Sequence, residues 1–303
     1  MHLPRPLVIA GAAPFFRAGL NHRLPVPVAR RIIDAGAFPM RPLPRGVEVT
    51  STPLGGRPAE RVAPAGDPRR AVLYLHGGGY TVGSPKLYRR TAAHLALSAD
   101  AVVFNLDYRL APEHPYPAAL DDAISAFTEL VASHGYAADS IGIAGDSAGG
   151  GLAVATARAL TDKGLRPGAL ALLSPWTDPA DEDFHVRRSR GNDLRWGRMS
   201  AQLYRGDAAP DDPGYAPMYA RLDGLPPMLI HVASDEMLHR QIHKFAARAQ
   251  AAGADVTLVE QGQWWHSIHV AAGTLRTATD AVHAVGAYLR DHLPIGSGAV
   301  RNR

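Results

Sequence analysis

Gly145-Asp146-Ser147-Ala148-Gly149-Gly150 holds a serine at the spacing G-x-S-x-G, between a strand-like run, Ser140–Ile143, and a helix-like run, Leu152–Asp162. In that setting a sharp strand-to-helix turn lifts the serine hydroxyl clear of a sheet edge. The flanking glycines are needed because a side chain there would strike neighbouring backbone. The chemistry such a turn supports is nucleophilic attack on a carbonyl by Ser147, with negative charge developing on the carbonyl oxygen. A glycine-rich turn opening a helix around an anion would carry the same letters. His76-Gly77-Gly78-Gly79-Tyr80, directly after the third strand-like run, favours the nucleophile: consecutive glycines let a loop turn its N–H groups inward, toward a developing oxyanion.

Three further segments stand in order with these two: Asp107-Tyr108-Arg109-Leu110-Ala111-Pro112-Glu113, Pro117–Asp122 and Ser174-Pro175-Trp176. Together they make the chain resemble the hormone-sensitive-lipase-like bacterial esterases (family IV) of the α/β-hydrolase fold, from about residue 70 to 275. The resemblance implies an eight-stranded, mostly parallel sheet with helices on both faces. It also implies a helical cap built from the N-terminus and the segment after the sixth strand. The implied activity is cofactor-free hydrolysis of carboxylic esters, with the amides of Gly78, Gly79 and Ala148 as oxyanion donors. Lactone hydrolysis by the same residues is the alternative, and a non-catalytic receptor for a small ligand is a further one, disfavoured because a histidine stands where the base is expected.

Chain order in this fold is nucleophile, acid, base. Of the 14 histidines, His266 follows the last strand-like run on the loop Gly262-Gln263-Trp264-Trp265, where a side chain reaches over the sheet's edge. His269, three residues on, is its rival. His283 and His292 share a late helix with Val282, Val285, Tyr288 and Leu289 and read as packing or solvated groups. For the acid, Asp235 in Ala233-Ser234-Asp235-Glu236-Met237-Leu238 matches the family position at the end of the seventh strand. Glu236 is the local alternative, although its length and a place in a first helical turn suit a structural carboxylate. Asp146, Glu113 and the pair Asp121-Asp122 read as bracing groups. His239 and His243 have i, i+4 spacing but no H-E-x-x-H glutamate between them, so a solvated face is expected rather than zinc, and neither a metal nor a cofactor is expected.

The elements that would position these residues are legible as eight apolar or β-branched runs: Val47–Thr50, Ala59–Ala63, Ala71–Leu75, Ala101–Leu106, Ser140–Ile143, Ala169–Leu173, Met228–Val232 and Val256–Glu260. Helix-like stretches such as Ala118–Ser133, Leu152–Asp162 and Leu238–Ala251 alternate with the later runs, which predicts a largely parallel sheet covered on both sides. Residues 1–45, with a helical patch at Val28–Ala37, read as the N-terminal part of a cap. Residues 46–293 read as the catalytic domain, interrupted by a cap insertion at about 176–219, and 294–303 as a polar tail.

Composition fits this reading. A chain of 303 residues with 46% hydrophobic and 20% charged residues is long enough to bury a sizeable core. A net charge of +4 is scattered in short pairs, so no basic stripe points to nucleic acid. With no cysteine, disulfides and thiolate chemistry are excluded. The apolar run Leu7–Phe16 follows Arg5 as a signal-peptide core would, but Gly11 and Pro14 interrupt it and no small-x-small cleavage site follows. No run is long enough to span a bilayer. The expectation is a cytoplasmic protein whose partner is a small ester or lactone, without integral membrane association, and with a homodimer left open.

Overall fold

Ala71–Leu75 reads Ala-Val-Leu-Tyr-Leu, a strand with no side fit for water, and it must therefore lie inside a sheet covered on both faces. In the computed structural model, which describes residues 2–36, 43–66, 68–181, 194–262 and 264–295, it does. Eight strands form one sheet: β1 (Val47–Leu54), β2 (Arg57–Pro64), β3 (Ala71–Leu75), β4 (Val102–Leu106), β5 (Ile141–Asp146), β6 (Ala169–Leu173), β7 (Met228–Ala233) and β8 (Val256–Gln261). Their spatial order is β1-β2-β4-β3-β5-β6-β7-β8. Only β2 runs against its neighbours; β4 through β8 are parallel.

The period-two rule of strands sorts the core into two layers. Leu73, Phe104, Ile143, Leu172 and Ile230 pack with Phe127 and Leu130 of α4 (Ala118–Ala132), Leu152 of α5 (Ala148–Asp162) and Phe245 of α7 (His239–Ala251). Their neighbours Val72, Tyr74, Val103 and Ala171 point to the other face. There they meet Leu87 and Leu95 of α3 (Pro85–Ala99) and Val282, Val285 and Leu289 of α8 (Arg276–His292). The predicted α/β architecture is thus observed, with strand ends shifted by a few residues.

Two helices precede the sheet, α1 (Arg5–Gly19) and α2 (Val26–Ala35). Each starts beside prolines, whose fixed φ and missing N–H suit a first helical turn. Gly11 and Pro14, read from sequence as interruptions, both lie inside α1. Val8 of that helix packs with Ile268, Ala271 and Leu275, so tertiary burial outweighs poor local propensity. Arg30 of α2 fastens the segment to the core: it donates to the carbonyls of Thr81 and Ala111, both at 2.8 Å, and pairs with both carboxylate oxygens of Glu113 at 3.0 and 2.6 Å.

After β6, helix α6 (Leu194–Arg205) fills part of the expected insertion, and residues 182–193 of that insertion lie outside the described residues. Tyr204 of α6 stacks on Tyr80, ring centroids 3.5 Å apart, seating α6 on the glycine loop. The expected tail, from residue 296 onward, also lies outside the described residues.

Candidate active site

β5 ends at Asp146 and α5 begins at Ala148, so Ser147 alone makes the turn between them. Its φ of 50° and ψ of −120° are strained for a residue with a Cβ. The strain is held by neighbours: the Ser147 N–H donates to Leu173 O at 2.9 Å, and Ser147 O accepts from the N–H groups of Gly150, Gly151 and Trp176. A Cβ on Gly149 would lie 1.9 Å from Leu75 O, so only glycine lets α5 sit this close to the end of β3.

His266 Nε2 stands 2.8 Å from Ser147 Oγ. The loop after β8 delivers that histidine, as the sequence predicts. His269 is elsewhere: it is buried, with Nε2 3.1 Å from His231 Nδ1, and burial pushes its pKa well below the usual range. His283 lies 3.2 Å from His94, and His292 Nδ1 is 2.8 Å from Tyr288 O.

The acid expectation requires correction. Asp235 is exposed and borders the cavity in front of Ser147, and it makes no hydrogen bond or ion pair with His266. Glu236 is the carboxylate that faces the imidazole, with Oε1 3.7 Å from Nδ1. Both of those atoms are buried and have no hydrogen-bond partner among the described residues, so the two groups meet at ion-pair distance. The reason for the exchange is local. α7 begins only at His239, so Glu236 lies in a tight turn before the helix, not in its first turn. There its Oε2 accepts from Ser174 Oγ at 2.5 Å and from the Ala233 N–H at 3.2 Å, which holds the side chain inward.

Ser174 is the residue that sequence reasoning passed over. Its hydroxyl donates to Glu236 and accepts from the Ser267 N–H at 3.4 Å, joining the acid's turn to the residue after His266. Its place in Ser174-Pro175-Trp176 was the available signal.

The glycine loop lies beside the serine, and Gly78 and Gly79 line the same cavity as Ser147 and His266. Gly78 has φ 125°, and a Cβ there would meet Val82 O at 2.0 Å, so the loop's inward turn excludes any other residue. Ala148, the third expected donor, is the first residue of α5, where N–H groups lack intrahelical acceptors. Asp146 locks loop to elbow: it accepts from the Gly77 N–H at 2.8 Å, Tyr88 Oη at 3.0 Å and Tyr74 Oη at 3.3 Å. Burial raises its pKa to about 6, against those hydrogen bonds. Glu113 binds Arg30, and Asp122 pairs with Arg109 at 2.7 Å, so both brace loops as expected.

The cavity holds about 690 Å³. Val8, Ile9 and Phe16 of α1, Trp196 of α6, and Trp264 and Trp265 give it apolar walls. The Arg5 guanidinium lies 4.7 Å from the Trp264 ring centroid, a cation–π contact across the rim. Tyr204, Tyr215 and Met218, in the segment expected to form the cap insertion, are buried in the core.

The geometry agrees with three comparisons. A family model described as the α/β-hydrolase fold matches residues 72–270. An acetyl-hydrolase of Streptomyces hygroscopicus is 38% identical over 84% of this chain and 85% of its own length. LipR of Mycobacterium tuberculosis, also described as an acetyl-hydrolase, is 34% identical over 97% of this chain and 96% of its own. Among solved structures, an esterase of the bacterial hormone-sensitive-lipase family matches with a TM-score of 0.87 at 34% identity, covering 96% of this chain and all of that one.

Proposed function

Because this chain belongs to the α/β-hydrolase family, in its bacterial hormone-sensitive-lipase branch, we propose that it hydrolyses short to medium acyl esters through a serine acyl-enzyme. The class of activity is carboxylic-ester hydrolysis, and the observation that carries the mechanism is the 2.8 Å approach of His266 Nε2 to Ser147 Oγ at a strained turn.

Ser147 attacks the ester carbonyl while His266 takes its proton, because a neutral hydroxyl is a weak nucleophile alone. Glu236 fixes the proton on Nδ1 and stabilises the imidazolium as it forms; its buried setting strengthens that attraction. The amides of Gly78, Gly79 and Ala148 receive the oxyanion, each such donor contributing about 10²–10³ in rate. Collapse of the tetrahedral intermediate breaks the bond to the alcohol oxygen, which leaves with the proton from His266. Water then repeats the sequence on the acyl-enzyme and frees the acid. The helices α1 and α6, which wall the cavity, act as the cap that bounds the acyl site.

The test is hydrolysis of p-nitrophenyl butyrate together with labelling by a phosphonate ester. Turnover by the wild type, its loss in Ser147→Ala, and a stable adduct mapped by mass spectrometry to the peptide holding Ser147 are expected. An adduct on another residue, or full turnover by Ser147→Ala, would overturn the reading.

A further inference from the structure

His239 opens α7 and His243 follows four residues later, so one helical turn brings their rings to the same side, centroids 4.4 Å apart. The adjacent strand β8 adds Glu260, whose carboxylate spans the pair. Its Oε1 is 3.4 Å from His239 Nε2 and its Oε2 is 3.3 Å from His243 Nε2. One ligand atom from each of the three residues falls within 4.8 Å of the others. Neither Nε2 makes a hydrogen bond, although both atoms are buried. The N···O separations are longer than the 2.7–3.2 Å of an N–H···O bond. With one donor atom from each residue within 4.8 Å of the others, small side-chain adjustments bring the three to the about 3.3–3.4 Å that tetrahedral metal–ligand bonds of about 2.0–2.1 Å set between neighbouring ligand atoms.

We propose that His239, His243 and Glu260 form a binding site for a divalent transition-metal ion, zinc foremost, with water completing the coordination. Two imidazole nitrogens and one carboxylate suit zinc, nickel or copper and disfavour magnesium and calcium, which take oxygen ligands. None of the three residues lines the cavity of Ser147, so the ion takes no part in ester cleavage. Its effect is mechanical. It ties the start of α7 to the end of β8, and the glutamate that meets His266 lies three residues before His239, while the loop that carries His266 follows β8.

The experiment uses tag-free, full-length protein stripped with a chelator and titrated with ZnCl₂ by calorimetry and thermal melting. One saturable site per chain is expected, filled below about 10 µM free zinc, with Tm rising on the order of 5 °C at a hundredfold excess over Kd. His243→Ala and Glu260→Gln should each weaken binding by roughly tenfold or more. His283→Ala, which breaks the separate His94–His283 pair, should leave it unchanged. Anomalous scattering at the zinc edge from a soaked wild-type crystal locates the ion without any variant, and a peak between the three side chains is expected. No saturable binding, binding that survives both ligand substitutions, or a peak elsewhere would overturn the proposal.

Discussion

Glu236 turns its carboxylate to His266, 3.7 Å from Nδ1, while Asp235 beside it in the chain is exposed. Glu236→Gln keeps the shape but loses the charge that stabilises the imidazolium. It should lower kcat for p-nitrophenyl butyrate by about 10³–10⁴ with little change in KM. Asp235→Asn should stay within a few-fold of wild type. Steady-state kinetics of both variants decide the matter, and the reverse ranking would return the acid's role to Asp235.

In the proposed mechanism Ser147 and His266 act as a unit, so Ser147→Ala and His266→Ala should each cost about three or more orders of magnitude in kcat, and the double variant little more. His269→Ala tests the other histidine. It leaves His231 without its ring partner in a buried site and should cost about 2–3 kcal/mol of stability, while the surviving folded protein turns over substrate. Paired measurements of kcat and Tm separate the two kinds of effect.

A cavity of about 690 Å³ fits only a limited acyl chain. Each buried methylene contributes roughly 0.8 kcal/mol until the space between Phe16, Trp196 and Trp264 is filled, and later ones must bend or stay in water. The specificity constant should therefore rise along p-nitrophenyl esters, peak between about four and eight acyl carbons, and fall by palmitate. A maximum at palmitate would mean that the cap opens.

Acid should destabilise the fold through its buried histidines. Burial lowers both His76 and His231 to about 4 and His269 further, whereas an unfolded histidine titrates near 6.5. Stability from these rings is full above about pH 6.5 and is lost as pH falls toward 4, because the unfolded chain takes up protons that the folded one refuses. Asp146 opposes them: burial raises it to about 6, so between about pH 6 and 4 the folded state binds a proton that the unfolded state lacks. His94, lowered to about 4 as well, adds to the three rings, so stability should fall as pH drops from about 6.5 toward 4. Urea melts from pH 7 to 4.5 would measure it, and a flat profile would contradict the assignment of these groups.

The parts of the site legible in the sequence are those fixed by backbone sterics. Ser147, Gly78 and Gly149 occupy conformations or close approaches that few residues tolerate, so their pattern carries the geometry with it. The choice between Asp235 and Glu236 is different in kind. Adjacent carboxylates on a turn differ only in which points inward, and that depends on Ser174, distant in sequence, and on where α7 begins. Likewise the spacing of His239 and His243 is a helical property open to reading, but Glu260 joins them only through the packing of a strand beside a helix. Helix α1 was obscured because Pro14 lowers local propensity, while its burial against Ile268 is a tertiary fact.

Arg30 gives the N-terminal segment a second duty. Its guanidinium reaches past α2 to the Thr81 carbonyl, one residue beyond the glycine loop's tyrosine, and to Ala111 and Glu113. Shortening the chain to admit bulkier esters would thus strip a cation from the back of the loop proposed to receive the oxyanion, leaving two carbonyls and a carboxylate to relax as they will. Access and preorganisation are coupled through one side chain, so a variant designed to widen the entrance should keep Arg30 and recut the wall at Phe16 or Trp196 instead.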